Sequence, residues 1–298
     1  MNKTLFDPLN ISIDVLKDQF LHNSGVVANV LRLDKTDPIT GGNKWFKLKL
    51  NIEKCIQQSQ DTILTFGGPF SNHIAATAAA AKSNGLKSIG IIRGDHVNNV
   101  TLQRAISEGM IIHFVSRTEY RDYRNKFNYF ELINKFGDCY IIPEGGSNEL
   151  GVKGCEMIAE FIPADTDFIF LPVGTAATFS GLIRGLKQNS KVLGIAVVKA
   201  KDYLELQIAD FTKEKIIIPD FELNHHYLFG GYAKSNALLN EFVTDFNSAH
   251  EFSIEPIYSG KMFYACFDLI KKGIIHSGSK IILIHTGGLQ YIAGGALC

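Results

Sequence analysis

The chain has 298 residues but no excess of charge, no paired cysteines and no long apolar run, and each shortage removes a class of function. Lys and Arg number 30 and Asp and Glu 30, so there is no basic field to collect a phosphate backbone, and nucleic acid is not expected as a partner. The cysteines, Cys55, Cys139, Cys155, Cys266 and Cys298, form an odd set without a Cys-x-x-Cys pair, which fits neither a disulfide framework nor a zinc knuckle. A reducing, cytoplasmic location is the expectation. No stretch reaches the ~18 apolar residues of a membrane span, and the first residues carry Asp7 and Asp14 instead of a signal-peptide core, so no membrane partner is expected. Gly-x-Gly-x-x-Gly, a Walker A loop, Gly-x-Ser-x-Gly and His-Glu-x-x-His are all missing, which counts against nicotinamide oxidoreductases, nucleoside triphosphatases, serine hydrolases and zinc enzymes. The vicinal His225-His226 cannot easily face one ion, and no metal site is expected.

What the chain does have is 46% hydrophobic residues and 27 glycines. From about residue 60, short β-branched or aromatic runs alternate with segments of helical period, the pattern of βα units feeding a mostly parallel sheet. Strands are predicted over 62–66, 88–92, 111–115, 139–142, 168–173, 192–198 and 281–285. Helices are predicted over 72–83, 100–108, 119–135, 152–161, 179–187, 235–247 and 261–272, with Gly85, Gly109, Gly137 and Gly273 closing four of them. A length near 300 suggests about two domains. With no linker in the composition, the smaller must be an insertion: residues 52–148 are expected to form a small α/β domain, and residues 1–51 plus 149–298 a large one, with a cleft between them.

Glycine and polar residues gather in five segments, mostly at strand-to-helix junctions, where ligands of open α/β sheets bind. In Gly41-Gly42-Asn43-Lys44 a lysine precedes the apolar Trp45-Phe46; a partly desolvated amine can form an imine, although a lysine after Gly-Gly is also ordinary surface. In Gly67-Gly68-Pro69-Phe70-Ser71-Asn72-His73, Ser71 or Asn72 serves either as an N-cap or as part of an anion site at the helix start. Pro143 to Asn148 reads as a glycine-rich loop capped by Ser147 or Asn148. Gly174-Thr175-Ala176-Ala177-Thr178 suits a phosphate cradle, or a tight loop capped by Thr178. His285-Thr286-Gly287-Gly288 follows the last strand, and Tyr258-Ser259-Gly260-Lys261 opens the helix before it. His73 reads as packing or surface. A phosphate cradle, an imine-forming lysine and glycine loops around a flat ring are together what pyridoxal 5′-phosphate requires.

These motifs resemble those of the 1-aminocyclopropane-1-carboxylate deaminase and D-cysteine desulfhydrase family, from about Gly41 to Gly288. The resemblance implies a two-domain α/β architecture of fold type II, like tryptophan synthase β, with twisted, mostly parallel sheets flanked by helices. It implies pyridoxal 5′-phosphate as cofactor, a small amino-acid substrate and a homodimer. It makes Lys44 the lysine joined to the cofactor, Ser71 a substrate contact, Asn72 a partner of the ring hydroxyl, and Gly174, Thr175, Ala176, Ala177 and Thr178 the phosphate loop. Tyr232 and Tyr258 match the family's two active-site tyrosines. Where the deaminases carry Glu after the second tyrosine and Leu after the last-strand His, this chain has Ser259 and Thr286, hydroxyl residues as in the desulfhydrases.

A hydroxyl beside the pyridine nitrogen leaves a weaker electron sink than a carboxylate does. That suits D-cysteine, which has an α-proton and a thiolate leaving group, better than the cyclopropane substrate, which has no α-hydrogen. The expected reaction is β-elimination to pyruvate, ammonia and sulfide, with Lys44 as base and Tyr258 as acid for the leaving group. The alternative is deamination of 1-aminocyclopropane-1-carboxylate to 2-oxobutanoate, and a non-enzymatic cofactor-binding protein is a third reading. Trp45-Phe46 and Phe70 replace polar residues usual in relatives, and a more apolar pocket is expected from them.

Overall fold

The structure, a computed structural model, describes residues 10–36, 41–124, 129–215 and 217–288. Two sheets organise it. The larger has the order β1 (Ile13–Val15), β2 (Val27–Arg32), β10 (Lys280–His285), β7 (Phe168–Val173), β8 (Lys191–Ala196) and β9 (Phe221–Asn224). All its neighbours are parallel except β1 against β2. The smaller is wholly parallel, in the order β5 (Met110–Val115), β4 (Lys87–Arg93), β3 (Thr62–Gly67) and β6 (Tyr140–Ile142). Every residue of β3 is buried, as a central parallel strand covered on both faces must be.

The helices are α1 (Gln19–Asn23), α2 (Asn43–Gln57), α3 (Asn72–Ser83), α4 (Val100–Ser107), α5 (Arg117–Arg124), α6 (Tyr129–Phe136), α7 (Glu149–Glu156), α8 (Ala176–Gly185), α9 (Lys201–Thr212), α10 (Ala237–Ala249) and α11 (Ser259–Lys271). Alternate residues of the large sheet enter different cores. Val30, Ile281 and Leu283 pack with Leu239, Phe246 and Phe263 of α10 and α11. Leu31, Ile282 and Ile284 face Phe46, Phe179 and Leu182 of α2 and α8. Alternation of side chains along a strand produces this division.

The seven predicted strands are all present, with ends within about two residues. β1, β2 and β9 were not predicted; β1 and β9 are only three and four residues long. In β2, Asn29 breaks the apolar run. The expected helix over 119–135 is two helices, α5 and α6, and residues 125–128 lie outside the described ones. The helix expected over 152–161 is α7 followed by a 3-10 segment, Met157–Phe161. α1, α2 and α9 were missed. Gly85, Gly109, Gly137 and Gly273 take positive φ just past their helices, as expected. Cys298 lies outside the described residues.

The missed helix α2 positions the site. Its buried face carries Trp45, Leu48, Ile52 and Cys55, one helical stripe split between two cores. Trp45 and Phe46 join the large-sheet core, whereas Leu48, Ile52 and Cys55 pack with Ala76, Ala80 and Ile142 of the small-sheet layer. α2 thus spans both layers and turns its first residues toward the space between them. Gly42 at its N-cap has φ +78, and a Cβ there would lie 2.0 Å from the Thr286 carbonyl oxygen. Only glycine permits both that φ and that approach. Among the described residues no helix is long and apolar enough to cross a membrane.

Candidate active site

A cleft of about 470 Å³ opens at the C-terminal ends of the parallel strands, where open α/β sheets bind ligands. It is lined by Lys44 and Lys47 from α2, Ser71, Asn72 and His73 from the start of α3, and Arg93 from the end of β4. Arg124, Glu144 and Gly145 close one side. Gly174, Thr175 and Thr178 enter from the β7–α8 junction, with Tyr232, Tyr258, Thr286 and Gly288 opposite.

Lys44 is half-buried, and burial together with the neighbouring Lys47 ammonium holds its amine well below the ordinary lysine range. A lysine so placed gives up its proton more readily than a free lysine, and the unprotonated amine is the form that attacks an aldehyde. Lys47 is fully buried, and desolvation lowers it to about 8. Its Nζ donates to Thr175 Oγ1 (2.9 Å) and to the Gly145 carbonyl (3.1 Å). Thr175 is the N-cap of α8, yet its side chain makes no capping hydrogen bond. The α8 N-terminus therefore offers backbone N–H groups beside an ammonium, a site for a dianion. Thr178 lies one turn in and accepts from Asn43 Nδ2 (2.8 Å), so it is not the cap considered from sequence. Ala176 and Ala177 are buried in that turn, and their side chains do not line the cleft.

Ser71 is the N-cap of α3 and makes no side-chain capping bond, so its hydroxyl remains available to a ligand. Among the described residues Asn72 Oδ1 is buried without a partner. Such an orphan acceptor is suited to a donor on a bound ligand. His73 is fully buried. Its Nε2 lies 2.8 Å from Thr65 Oγ1, whose own proton goes to the Ile142 carbonyl (2.9 Å). Nε2 must then be the donor, which leaves the lone pair on Nδ1, an atom without a partner among the described residues. Burial and the charges of Lys44 and Lys47 push its pKa well down, so the ring is neutral.

Tyr232 and Tyr258 meet edge to face, with ring centroids 5.9 Å apart. Tyr258 precedes α11, whose first turn is held by a residue that sequence reasoning missed. The buried Glu255 carboxylate accepts from the backbone N–H groups of Ile257 (2.6 Å), Tyr258 (3.0 Å) and Ser259 (2.8 Å). Burial raises Glu255 to about 7 against the opposing pull of these donors. Ser259 was expected at the cofactor, but it does not line the cleft. It is wholly buried, and its hydroxyl accepts from Glu255 N (3.0 Å) and donates to Glu255 Oε1 (3.1 Å). Thr286 does line the cleft. Lys261, buried in the same turn, donates to the carbonyls of Leu228 (2.8 Å) and Gly231 (2.7 Å), fixing the segment that carries Tyr232.

The apolar pocket expected from Trp45, Phe46 and Phe70 is not found. Trp45 and Phe46 are 2% and 0% exposed and point into the core, and Phe70, 42% exposed, is not among the lining residues. Neighbours on a helix are about 100° apart, so turning Lys44 into the cleft turns Trp45 away. Lys47, His73, Arg93, Arg124, Glu144 and Glu255 were not proposed from sequence. A signal existed for Lys47, three residues after Lys44 and thus on the same helix face.

The donor set fits pyridoxal phosphate: a depressed lysine amine, an α8 N-terminus with an ammonium beside it, and an unpartnered Asn72 amide oxygen. Comparison with known proteins agrees. The family model for pyridoxal-phosphate dependent enzymes matches residues 18–287. A mitochondrial bifunctional D-cysteine desulfhydrase/1-aminocyclopropane-1-carboxylate deaminase of Arabidopsis thaliana is 31% identical over 86% of this chain and 71% of its own length. A 1-aminocyclopropane-1-carboxylate deaminase of a Bradyrhizobium strain is 26% identical over 85% of this chain and 84% of its own. The crystal structure of a homologue of that deaminase superposes with a TM-score of 0.82 at 26% identity, covering 96% of this chain and 91% of that one. This chain belongs to the pyridoxal-phosphate dependent enzyme family, within its group of 1-aminocyclopropane-1-carboxylate deaminase relatives of fold type II, and is a lyase that uses pyridoxal phosphate.

Proposed function

We propose that the protein catalyses β-elimination on a small amino acid, with D-cysteine giving pyruvate, ammonia and sulfide. The observation that carries this reading is Thr286. A hydroxyl residue lines the cleft at the end of the last strand, and the one carboxylate among the described lining residues, Glu144, is paired 2.9 Å away with Arg124. Glu255, the other nearby carboxylate, is engaged by the first turn of α11. When bound, the cofactor would supply an electron sink for negative charge at Cα, and with a hydroxyl rather than a carboxylate beside its ring nitrogen that sink would be the weaker kind. A substrate with an acidic Cα hydrogen and a good leaving group suits it.

The chain's own residues divide the remaining work. The Lys44 amine, whose hold on its own proton is weakened by burial and by Lys47, takes the proton from Cα. The Ser71 hydroxyl and the free N–H groups of α3 hold the substrate carboxylate. Tyr258 delivers a proton to the departing sulfur. Lys47, Thr175, Thr178 and Gly174 would hold the phosphate, and Asn72 would hold the ring hydroxyl. The same family reading makes the protein a cytoplasmic homodimer, with residues 52–148 as the small domain and 1–51 plus 149–298 as the large one.

Deamination of 1-aminocyclopropane-1-carboxylate is the second reading, favoured by the name of the Bradyrhizobium relative. One experiment separates the two. Protein loaded with pyridoxal phosphate is given D-cysteine, L-cysteine, D-serine or 1-aminocyclopropane-1-carboxylate, and sulfide and keto acids are measured. Pyruvate with sulfide from D-cysteine supports the proposal. 2-Oxobutanoate from the cyclopropane substrate, with D-cysteine inert, replaces it with the deaminase.

A further inference from the structure

Backbone strain gathers in the loop that carries Tyr232. Among the described residues three non-glycine residues have positive φ, and two of them, Phe229 (φ +48) and Ala233 (φ +53), flank this tyrosine. Gly230 and Gly231 also lie at positive φ, +95 and +109. Such a run persists only where its surroundings over-determine it. Two tight turns follow one another here: the Gly231 N–H donates to the Leu228 carbonyl (2.9 Å), and the Lys234 N–H donates to the Gly231 carbonyl (3.2 Å). A carbonyl oxygen can accept twice, and both of these also accept from one ammonium, Lys261 Nζ, at 2.8 Å and 2.7 Å.

Lys261 is wholly buried in the first turn of α11, one turn beyond Tyr258. Burial lowers its pKa to about 8, and the charge of Glu255 acts against that fall without any ion pair between the two among the described residues. An ammonium buried against neutral carbonyls costs more than an apolar side chain would, so packing gives no reason for a lysine at this point. The loop is attached to α11 a second time, where the Phe229 ring meets Tyr264 edge to face at 5.1 Å. Tyr232 lines the cleft and meets the Tyr258 ring at 5.9 Å. Burial raises the Tyr232 hydroxyl, and a side-chain hydrogen bond with Tyr258 acts against it. Whatever places Tyr232 therefore places a partner of the hydroxyl assigned to protonate the departing sulfur.

We propose that Lys261 is a positioning residue for departure of the leaving group: by clamping the two turns around Tyr232 it holds that phenol against Tyr258 and so aims the Tyr258 proton. The proposal rests on the β-elimination reading with Tyr258 as its acid. In that step the bond from Cβ to sulfur breaks with its electron pair on sulfur, and sulfur takes the Tyr258 proton. A chloride on Cβ leaves with the pair and takes no proton. A fault confined to the acid therefore slows loss of sulfide and spares loss of chloride, whereas a general loosening of the fold slows both.

The test compares wild type with Lys261→Met and Lys261→Gln. On cofactor-loaded protein, kcat and KM are measured with D-cysteine and with β-chloro-D-alanine, and hydrogen exchange of residues 228–234 is followed in cofactor-free protein. Lys261→Met should lower the ratio of kcat on D-cysteine to kcat on β-chloro-D-alanine by ~10–100-fold, a part of the ~10²–10⁴-fold that a positioned acid contributes, with KM moved much less. Exchange at 228–234 should quicken by at least ~10-fold in the same variant. Lys261→Gln, an uncharged amide with two N–H donors, should recover part of both effects, and it carries the comparison with wild type if the Met variant does not fold. Added to Tyr258→Phe, Lys261→Met should lower the ratio little further, because both changes act on one proton. Equal losses on the two substrates, or unchanged exchange, would make Lys261 a scaffold residue and overturn the proposal. Wild type that yields pyruvate from neither substrate overturns the β-elimination reading along with it, whereas active wild type and variants with an unmoved ratio overturn this proposal alone.

Discussion

Replacing Lys47 with Met separates what the lysine costs the fold from what it gives the site. The ammonium is fully buried, and its pKa falls from 10.5 to about 8. Because the folded value lies below the unfolded one, the cost of burying the charge is fully present below pH 8, fades between 8 and 10.5, and is gone above. The interval corresponds to ~3 kcal/mol. A thioether of similar length removes that cost, as buried charges replaced by apolar residues commonly do. It leaves the Gly145 carbonyl and Thr175 hydroxyl without their donor, which returns ~1–3 kcal/mol. The cofactor-free variant should therefore be at least as stable as wild type at pH 7, with its advantage shrinking as pH approaches 10. Cofactor binding should move the other way. Losing one charge-assisted donor at the α8 N-terminus weakens pyridoxal phosphate by ~10–150-fold. The Lys44 amine, relieved of a neighbouring positive charge, should also titrate at higher pH. Urea unfolding of the cofactor-free protein across pH and absorbance titration with pyridoxal phosphate measure these effects. A variant that is less stable at pH 7 yet binds the cofactor as well as wild type would refute the reasoning on both counts.

Lys44→Ala should lose pyruvate release by at least the ~10²–10⁴-fold that a positioned base contributes, and borohydride trapping with peptide mass mapping should tag Lys44 in wild type and no lysine in the variant. Gly42→Ala places a Cβ 2.0 Å from the Thr286 carbonyl at a φ of +78 and should cost at least ~2 kcal/mol, read as a lowered Tm together with weaker cofactor binding. Glu255→Leu leaves the N–H groups of Ile257, Tyr258 and Ser259 without their acceptor and should destabilise by ~3 kcal/mol or more in urea; Glu255→Gln, which keeps one acceptor oxygen, should recover part of that.

Except for β9, the strands of both sheets from residue 60 onward were legible because parallel strands buried on two faces are apolar runs, and those runs stand out between helical segments. β1 and β9 were not legible because three or four residues carry too little pattern. α2 is a different failure. Its stripe of Trp45, Leu48, Ile52 and Cys55 has helical spacing, yet no helix was predicted after the Gly-Gly-Asn-Lys motif. That omission produced the mistaken apolar pocket, since only a helix assignment reveals that Trp45 and Lys44 face different ways. The bonding of the Ser259 hydroxyl was hidden for a related reason. A hydroxyl next to Tyr258 looks available in sequence, and nothing local announces that Glu255, four residues earlier, will occupy it.

Sequence by itself determined the chemistry at hand: a lysine after two glycines, a Ser-Asn pair at a helix start and a threonine-bearing glycine loop, all at strand ends. These are local features, set by backbone turns and side-chain type within a few residues. Tertiary structure alone decided which groups meet. Lys47 reaches Thr175, 128 positions away, and Arg93 settles beside the Ser71 turn with no carboxylate paired to it among the described residues. The physical reason is that desolvation and charge pairing depend on how helices dock against the two sheets. Helix phase and sheet order set those relations over distances that no short stretch of chain encodes.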